Sequence, residues 1–552
     1  MIKKIFCSVL AVLAIVTLFS SCKEEEQNFL YPIEGNVFTL DPQSASTSDE
    51  LSIIANTIEG LVRKDKDGNI KGGVATSWNI SSDGKVYTFK LAENIKWDLN
   101  KNITTMMGDE NWNPSITAHD FVFGLRRACD STTKAPFFNS IAVIENATEV
   151  HNGEMPLSAL GVKAINDYEL EIRLEKPDDD FLETLTSAIA MPCNEEFFNA
   201  TKGRYGLEKD YTLFNGPYYL SRWYQTSFIM RRSEIYKRND VSRPVKLTFN
   251  VTENDRASIM KNLFKGVYDA AIITGEESEQ ITEKDGIKLT PYENTVWAYV
   301  FNTTDESMAN ENIRKAICSS LSINYETNKK YLSKPQGIVP TSCNVNKTPY
   351  RDYAGEANMI KYDEQAALNY WLNGLKEVSP SEMEIVVLCP ESMQSYVREH
   401  LQGVQKVIGR RTNYKNKYNK DAGLDLSIKV EAVDDATFET RIRENSYQIA
   451  LYPIKATDDS ALKFLKELAN EKNITSFKND TYNANILKAE NEIDSSSCAK
   501  LLKQCEQILI DGAYIHPAFA QSNYFATAKG VSGVNFYTTG STVNFVYAER
   551  KD

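Results

Sequence analysis

The residues of this chain that could do chemistry are few and scattered. Its four histidines share no short spacing: His119, His151, His400 and His516. The chain contains no HExxH zinc motif, no GxSxG nucleophile motif and no GxxxxGK phosphate loop. Since enzymes of those classes hold their reactive groups at fixed spacings, the sequence predicts a protein that is not an enzyme and that holds no metal ion or cofactor.

Nine cysteines offer a second possible chemistry, through metal binding or disulfides. Cys7 and Cys22 lie near the N-terminus. The other seven are Cys129, Cys193, Cys318, Cys343, Cys389, Cys498 and Cys505. No pair has the CxxC spacing of a metal or redox site. The sequence therefore favours cysteines that are buried as small apolar side chains, and one disulfide among them remains an open alternative.

The N-terminal segment has the pattern of an export signal. Lys3 and Lys4 precede an apolar run over residues 5–19, and Cys22 follows two serines. The apolar run is too short to span a bilayer, which takes about 20 helical residues. Residues 18–22 resemble a bacterial lipobox, which implies that residues 1–21 are a signal peptide and that the Cys22 thiol receives diacylglycerol. A plain secretory signal is the alternative; the lipobox predicts an extracytoplasmic protein anchored to the bacterial membrane by lipid.

Composition limits the possible partners. The chain has 552 residues, of which 42% are hydrophobic and 25% charged, as in ordinary globular proteins. Without Lys3 and Lys4, 60 basic side chains stand against 75 acidic ones, which leaves a net charge of −15. Because nucleic-acid binding requires a basic face, the sequence predicts no nucleic-acid partner.

Strand and helix patterns alternate along the chain. A turn at Ser81-Ser82-Asp83-Gly84 precedes a strand pattern over 85–91, and another strand pattern covers 168–174. Helix patterns begin at the capping residues Thr117 and Asn310. Strands and helices mixed in this way indicate an α/β fold rather than a bundle or a sandwich.

Short motifs along the whole chain carry a family resemblance. They are TLDP at 39–42, IEGLV at 58–62, VATSW at 74–78, TAHDFV at 117–122, GVKA at 161–164, KP at 176–177, NGPY at 215–218, VFNT at 300–303 and IRKA at 313–316. Their order and spacing resemble the extracellular solute-binding proteins that include oligopeptide-, dipeptide- and nickel-binding proteins. The stretch from 117 to 137 is most similar to the oligopeptide branch.

The resemblance implies a two-lobed periplasmic-binding-protein fold of class II, with an additional α+β domain in the first half. It places lobe I at 22–71, 192–294 and 513–552, the extra domain at 72–191, and lobe III at 295–512. The expected hinges lie near 292–300 and 514–519. The implied protein is a monomer that captures a peptide-like ligand and delivers it to the permease of an ABC importer.

The resemblance also suggests which residues bind the ligand. Strand addition would pair the ligand backbone with one strand at Asn36, Val37 and Phe38 and a second at Tyr452, Pro453, Ile454 and Lys455. Pro453 lacks an N–H and weakens the second strand as a donor. Aromatic and polar side chains expected at the cleft are Phe137, Trp297, Tyr299 and Asn302.

One stretch departs from the family pattern. Oligopeptide binders typically have a Trp, any residue, Ala, Asp, Tyr sequence in which the Asp holds the α-ammonium of the peptide. Here Ile454 stands at the Trp and Thr457 at the Asp, and a one-residue shift would use Asp458 or Asp459 instead. The alternatives left open are a non-peptide solute, a receptor for signalling peptides and, more remotely, a hydrolase.

Overall fold

The structure is a computed structural model that describes most of the chain. It describes residues 27–551 except 36, 109–111, 239–243, 254, 326–328, 346–347, 410–411, 457–458, 470–473, 493 and 538–541. The predictions for Cys22, Asn36, Thr457 and Asp458 therefore fall outside the described residues.

Short and long strands alternate with helices throughout. The strands are β1 (Asn28–Ile33), β2 (Val62–Lys64), β3 (Ile70–Gly72), β4 (Ala75–Ile80), β5 (Val86–Leu91), β6 (Val162–Asn166), β7 (Glu169–Arg173), β8 (Tyr218–Tyr224), β9 (Ser227–Arg232), β10 (Lys246–Val251), β11 (Ala270–Ile273), β12 (Lys288–Phe301), β13 (Leu332–Ser333), β14 (Asn344–Val345), β15 (Thr348–Pro349), β16 (Glu382–Pro390), β17 (Thr412–Lys415), β18 (Asp421–Val433), β19 (Ile449–Lys455), β20 (Ile515–Thr527), β21 (Val531–Ser532), β22 (Asn535–Tyr537), β23 (Thr542–Asn544) and β24 (Glu549–Arg550).

The α-helices are α1 (Ser48–Thr57), α2 (Lys101–Met106), α3 (Ala118–Cys129), α4 (Ala147–His151), α5 (Phe181–Thr184), α6 (Glu195–Ala200), α7 (Arg256–Phe264), α8 (Gly275–Ser278), α9 (Glu311–Ser320), α10 (Tyr350–Ala354), α11 (Glu364–Val378), α12 (Gln394–Val407), α13 (Asp435–Arg443), α14 (Ala461–Glu467), α15 (Asp480–Glu490) and α16 (Ser495–Asp511).

The elements predicted from sequence patterns are confirmed. The strand pattern over 85–91 is β5, and its neighbour in the sheet is β7. Helix α3 begins after Thr117, whose backbone N–H donates to the Asp120 carboxylate at 2.7 Å. Helix α9 begins after Asn310, whose side chain accepts from the backbone N–H of Ile313. These starts were readable because a cap is a local contact that does not depend on the tertiary fold.

Three sheets form the frame of the molecule. One has the order β1-β10-β9-β8, and a second, fully antiparallel sheet has the order β4-β5-β7-β6. The third has eight strands in the order β11-β20-β12-β19-β16-β18-β17, with β13 also on β20. It contains both parallel and antiparallel pairs, so it is a mixed sheet.

The buried apolar side chains gather into separate cores. Lobe I is named here for the core formed by residues within 29–58, 214–273 and 525–548. Domain II has a core of its own between Leu61 and Leu213, wider than the predicted 72–191. Lobe III packs two adjoining cores between Ala298 and Phe519. Separate cores allow each part to move as a unit.

Strands β12 and β20 connect lobe I with lobe III. They pair side by side along most of their length, with a break in register between Tyr292 and Thr295. On β20, Phe519 packs in lobe III, whereas Phe525 packs in lobe I. The change of core on this strand therefore lies a few residues C-terminal to the predicted 514–519, because those residues belong to the core of lobe III.

Candidate functional site

A large cavity lies where lobe I, domain II and lobe III meet. Its volume is about 1320 Å³. Lobe I contributes residues of α1, domain II contributes β2 and the segment 175–189, and lobe III contributes β14, α14 and the end of α15. A cavity between three separately packed parts is a typical place for a ligand that holds those parts together.

The lobe I wall is built around a buried carboxylate. Tyr236 donates from its hydroxyl to Glu59 Oε1 at 2.8 Å, and Arg238 Nε lies 3.3 Å from the same oxygen. Arg63 Nε lies 3.6 Å from it and donates from Nη1 to the Tyr547 hydroxyl. Burial raises the pKa of Glu59, and the two guanidinium groups oppose that rise. This network fixes the Arg63 side chain against the wall of the cavity.

The domain II wall is a charged segment that follows β7. It reads Glu175-Lys176-Pro177-Asp178-Asp179-Asp180 and leads into α5. Glu175 Oε1 accepts from the backbone N–H of Asn146 at 2.7 Å, which fixes the start of the segment. At its end, Glu183 on α5 forms an ion pair with Lys64 on β2. Domain II therefore presents a row of carboxylates to the cavity.

Two lysine side chains connect the lobe III wall with domain II, one from each side. Lys463 on α14 places its Nζ 5.7 Å from the centre of the Phe137 ring. In the other direction, Lys176 of domain II donates to the backbone carbonyl of Glu490 at the end of α15. The Glu490 carboxylate pairs with Lys466 at 2.5 Å. The cavity is thus closed on this side by contacts that involve long, flexible lysines.

Two of the residues expected at the ligand line this cavity. Phe137 of domain II and Asp459 of lobe III both border it. The Asp459 backbone carbonyl accepts from the Asn344 N–H at 2.5 Å, which joins the segment after β19 to β14. The sequence placed these two residues at one site although 322 positions separate them in the chain.

Three of the expected residues lie elsewhere, inside lobe III. The Tyr299 hydroxyl is 2.7 Å from Nδ1 of His400, and the Tyr299 side chain is buried. Asn302 is buried and donates to the carbonyl oxygens of Asn445 and Tyr447. Trp297 is partly buried and donates to the Gln521 side chain at 2.5 Å. None of the three borders the cavity, and their polar groups are paired within the protein.

Strand β19 contains the second predicted pairing segment. It pairs with β12 along its whole length, while β16 pairs only with Ile449 and Ala450 on its other side. Among the described residues, no strand covers that other edge from Leu451 to Lys455. The strand therefore has an open edge of the kind that an extended chain can join.

The orientation of the β19 backbone explains how it tolerates Pro453. Ala456 N–H donates to the Asn294 carbonyl, and Asn302 N–H donates to the Gln448 carbonyl. Since alternate residues of a strand point to opposite edges, the even-numbered residues of β19 face β12. Pro453 and Lys455 then face the open edge, where a missing N–H breaks no bond to β12.

The first predicted pairing segment lies apart from the cavity. Phe38 is 72% exposed, and its backbone N–H donates to Glu50 Oε1 at 2.8 Å. Val37 is partly buried against the core of lobe I. Neither residue is in a strand, since β1 ends at Ile33. Glu50 fixes this segment by capping α1 and by holding the neighbouring backbone N–H groups.

Sequence reasoning missed most of the charged lining. The network of Glu59, Arg63 and Tyr236 joins residues far apart in the sequence, so no local pattern could reveal it. The acidic run at 178–180 was visible, because three adjacent carboxylates after Pro177 are unusual at the end of a strand. The family motif Lys176-Pro177 ends directly before this run and does not include it.

Thiols and metal ligands make no further site in the described chain. The seven cysteines from Cys129 to Cys505 are all buried free thiols, so the disulfide left open above does not form. Burial raises the pKa of Cys193 to about 12 and that of Cys498 to about 11. Across the described residues, no group of three His, Cys, Asp or Glu side chains is placed to hold a metal ion. No described helix is both long and apolar enough to cross a bilayer.

The fold matches those of solved solute-binding proteins. An oligopeptide ABC transporter substrate-binding domain from Bacillus anthracis superimposes with a TM-score of 0.71 at 22% identity, covering 96% of this chain and 99% of its own. Listeria monocytogenes OppA bound to peptide superimposes with a TM-score of 0.69 at 22% identity, covering 96% of this chain and all of its own. The predicted α/β, two-lobed binding-protein fold is therefore confirmed.

The sequence comparisons agree with the fold. The bacterial extracellular solute-binding proteins, family 5 Middle, match residues 69–476, and the chain belongs to this family. Dipeptide-binding protein DppE of Bacillus subtilis is 25% identical over 92% of this chain and 89% of its own length. Oligopeptide-binding protein OppA of the same organism is 25% identical over 92% of this chain and 90% of its own length. Membership implies an extracytoplasmic location.

Proposed function

We propose that this protein captures peptides outside the cytoplasmic membrane and delivers them to the permease of an ABC importer. The observation that carries the proposal is the cavity enclosed by lobe I, domain II and lobe III. Its volume of about 1320 Å³ exceeds the roughly 300–1,000 Å³ of most small-molecule pockets, so it has room for several amino-acid residues. The relatives named above as dipeptide- and oligopeptide-binding proteins support the same function.

Capture works in this proposal through closure of the lobes. The ligand contacts lobe III and domain II together, so its binding free energy favours the closed arrangement over the open one. Strands β12 and β20 bend where they pass between the cores, near the register break after Tyr292. The permease then distinguishes a loaded protein from an empty one by the closed arrangement of the lobes.

The open edge of β19, a strand that ends four residues before the cavity-lining Asp459, is the proposed contact for the ligand backbone. Lys455 offers both its N–H and its carbonyl there, Pro453 offers only a carbonyl, and Leu451 lies at the covered end. Phe137 and Asp459 are the side chains proposed to contact the ligand from the cavity walls. Main-chain pairing of this kind accepts many sequences, which suits a protein that collects mixed peptides.

A pair of substitutions tests the contact with β19. Lys455→Pro removes the N–H that faces the open edge and leaves the bonds to β12 intact, so peptide affinity should fall roughly fivefold for one lost hydrogen bond. Lys455→Ala keeps the N–H and should bind as the native protein does. Isothermal titration calorimetry measures both; equal losses in the two variants would show that the lysine side chain, not the backbone, makes the contact.

The capture function itself has a direct test. The purified chain is freed of bound ligand, incubated with a mixed peptide digest and separated from unbound peptide by gel filtration. Mass spectrometry of the bound fraction should recover intact peptides. Recovery of cleaved fragments alone would favour a hydrolase, and recovery of no peptide would favour a different solute.

We also propose that the protein is a lipid-anchored monomer, held at the membrane through Cys22. The support is the polar start after the apolar run, at residues 23–26, which suits a tether. Cells fed labelled palmitate should incorporate label into the native chain and not into a Cys22→Ala variant. The variant should also leave the membrane fraction. Retention of the label by the variant would contradict the anchor.

A further inference from the structure

The cavity is lined by more acidic than basic side chains. Its lining includes nine carboxylates: Glu59, Glu175, Asp178, Asp179, Asp180, Glu183, Asp459, Glu490 and Glu492. It includes five cations: Arg63, Lys64, Lys176, Lys463 and Lys466. The excess is four negative charges around one cavity. A cleft lined by one sign of charge concentrates the electrostatic field relative to a flat surface.

Several of the cations are already engaged with groups of the protein. Lys64 pairs with Glu183, Lys466 pairs with Glu490, and Lys176 donates to a backbone carbonyl. A ligand carboxylate would have to compete with these partners for the cations. These three cations are therefore paired with groups of the protein and are less available to a ligand.

Two carboxylates on the domain II wall differ from the paired ones in their surroundings. Asp179 and Glu175 are both exposed to the cavity, and among the described residues neither forms an ion pair with a cation. Glu175 is held in place by the Asn146 N–H, so its position does not depend on the ligand. Exposed carboxylates that are not paired with a cation are suited to receive the ammonium or guanidinium group of a ligand.

We propose that the cavity selects peptides with cationic side chains, and that Asp179 and Glu175 determine this preference. The inference rests on the proposed peptide function and adds the class of peptide. The backbone contact at β19 accepts any sequence, whereas the domain II wall accepts Lys or Arg and disfavours Asp or Glu. Selection by charge in this way acts on the difference in affinity between ligands rather than on affinity for all of them.

The test uses three hexapeptides that differ only in charge. Alanine peptides carrying two lysines, two glutamines or two glutamates are titrated into the purified full-length protein by calorimetry. The lysine peptide should bind roughly tenfold more tightly than the glutamate peptide at low ionic strength, with the glutamine peptide between them. The ratio should shrink at about 0.5 M salt, where the charges are screened.

Substitutions then locate the preference on the domain II wall. Asp179→Asn should reduce the lysine-to-glutamate ratio roughly threefold and leave the affinity for the glutamine peptide unchanged. Glu175→Gln keeps the acceptor for Asn146 N–H and should act in the same direction. The matched control is Asp352→Asn, an exposed aspartate on α10 that does not border the cavity and should leave the ratio unaltered.

The outcomes separate the two proposals. If all three peptides bind with equal affinity, selection by charge is overturned and the peptide function stands. If the ratio is large and Asp179→Asn and Glu175→Gln both leave it unchanged, the assignment to this wall is overturned. If none of the peptides binds, the peptide function fails and the inference fails with it.

Discussion

Domain II contacts lobe I through a buried ion pair and lobe III through long lysine side chains. Toward lobe I, Arg127 donates from both terminal nitrogens to the Asp41 carboxylate, at 3.0 and 2.6 Å, and also to Gln43. These side chains are buried, and the guanidinium stacks over the Phe198 ring at 4.2 Å. Toward lobe III, domain II offers Lys176 to a carbonyl and Phe137 to Lys463.

This difference between a buried ion pair and lysine contacts indicates which interface can open. A buried, bidentate ion pair is costly to separate because each charge loses its partner in a poorly solvated place. A lysine that bonds to a carbonyl at the cavity rim exchanges that partner for water at little cost. We therefore expect lobe I and domain II to move together, and lobe III to move relative to both.

The largest expected effect tests the fixed interface. Arg127→Ala leaves the Asp41 carboxylate buried without its cation, and the free energy of unfolding should fall by roughly 3–5 kcal/mol. Urea denaturation followed by tryptophan fluorescence measures the change. Arg173→Ala is the control in the same domain, because its exposed pair with Glu171 is worth at most about 1 kcal/mol. A loss below about 1 kcal/mol in Arg127→Ala would remove the contrast between the two interfaces.

A prediction of intermediate size concerns two buried histidines in lobe III and the pH dependence of stability. Burial lowers the pKa of His400 to about 4 and that of His516, on β20, to about 4. Both histidines are neutral in the folded protein above that pH, whereas in the unfolded chain they take up protons below about pH 6.5. The unfolded state then binds more protons between pH 6.5 and 4, so stability should fall as the pH is lowered through this window.

A substitution isolates the contribution of one of these histidines. His400→Gln removes one titrating group, so the stability lost between pH 7 and pH 5 should shrink by about 1–2 kcal/mol relative to the native chain. Unfolding curves at several pH values provide the comparison. His119→Gln is the control, since that side chain is 67% exposed. An unchanged pH dependence in His400→Gln would show that its burial does not govern acid sensitivity.

The smallest expected effect tests the interface that opens. Lys176→Met removes the contact with the Glu490 carbonyl, and the free energy of unfolding should change by less than about 1 kcal/mol. Peptide dissociation, measured by stopped-flow fluorescence, should become roughly two- to fivefold faster, because the closed arrangement loses one contact between domain II and lobe III. Lys85→Met is the matched control: Lys85 also donates to a carbonyl, that of Glu175, but within domain II. Equal effects of the two variants would contradict a closing role for Lys176.

Local patterns carried the sequence predictions that the structure confirms. The caps of α3 and α9 and the strand β5 depend on neighbours a few residues away, so the sequence alone determines them. The fold was inferred from the order of motifs. Phe137 was expected at the ligand from the family resemblance and Asp459 as an alternative where the chain departs from the family pattern, and both border the cavity.

Trp297, Tyr299 and Asn302 show the limit of such reasoning. Aromatic and amide side chains suit a ligand cleft, yet Trp297 and Tyr299 lie on β12 inside an eight-stranded sheet, and Asn302 follows directly after that strand. The polar atoms of all three have hydrogen-bond partners within the protein. Strand periodicity does not reveal what covers each face of a strand, because that depends on elements far along the chain.

The net negative charge, the helix starts and the family follow from the sequence alone, and the export signal stays a prediction from it. The positions where charges gather and the burial of each interface follow from the tertiary structure. Arg127 reaches Asp41 across 86 positions, and Lys176 reaches Glu490 across 314. Contacts over such distances in the chain form through packing of whole lobes, so their partners appear only when the chain is folded.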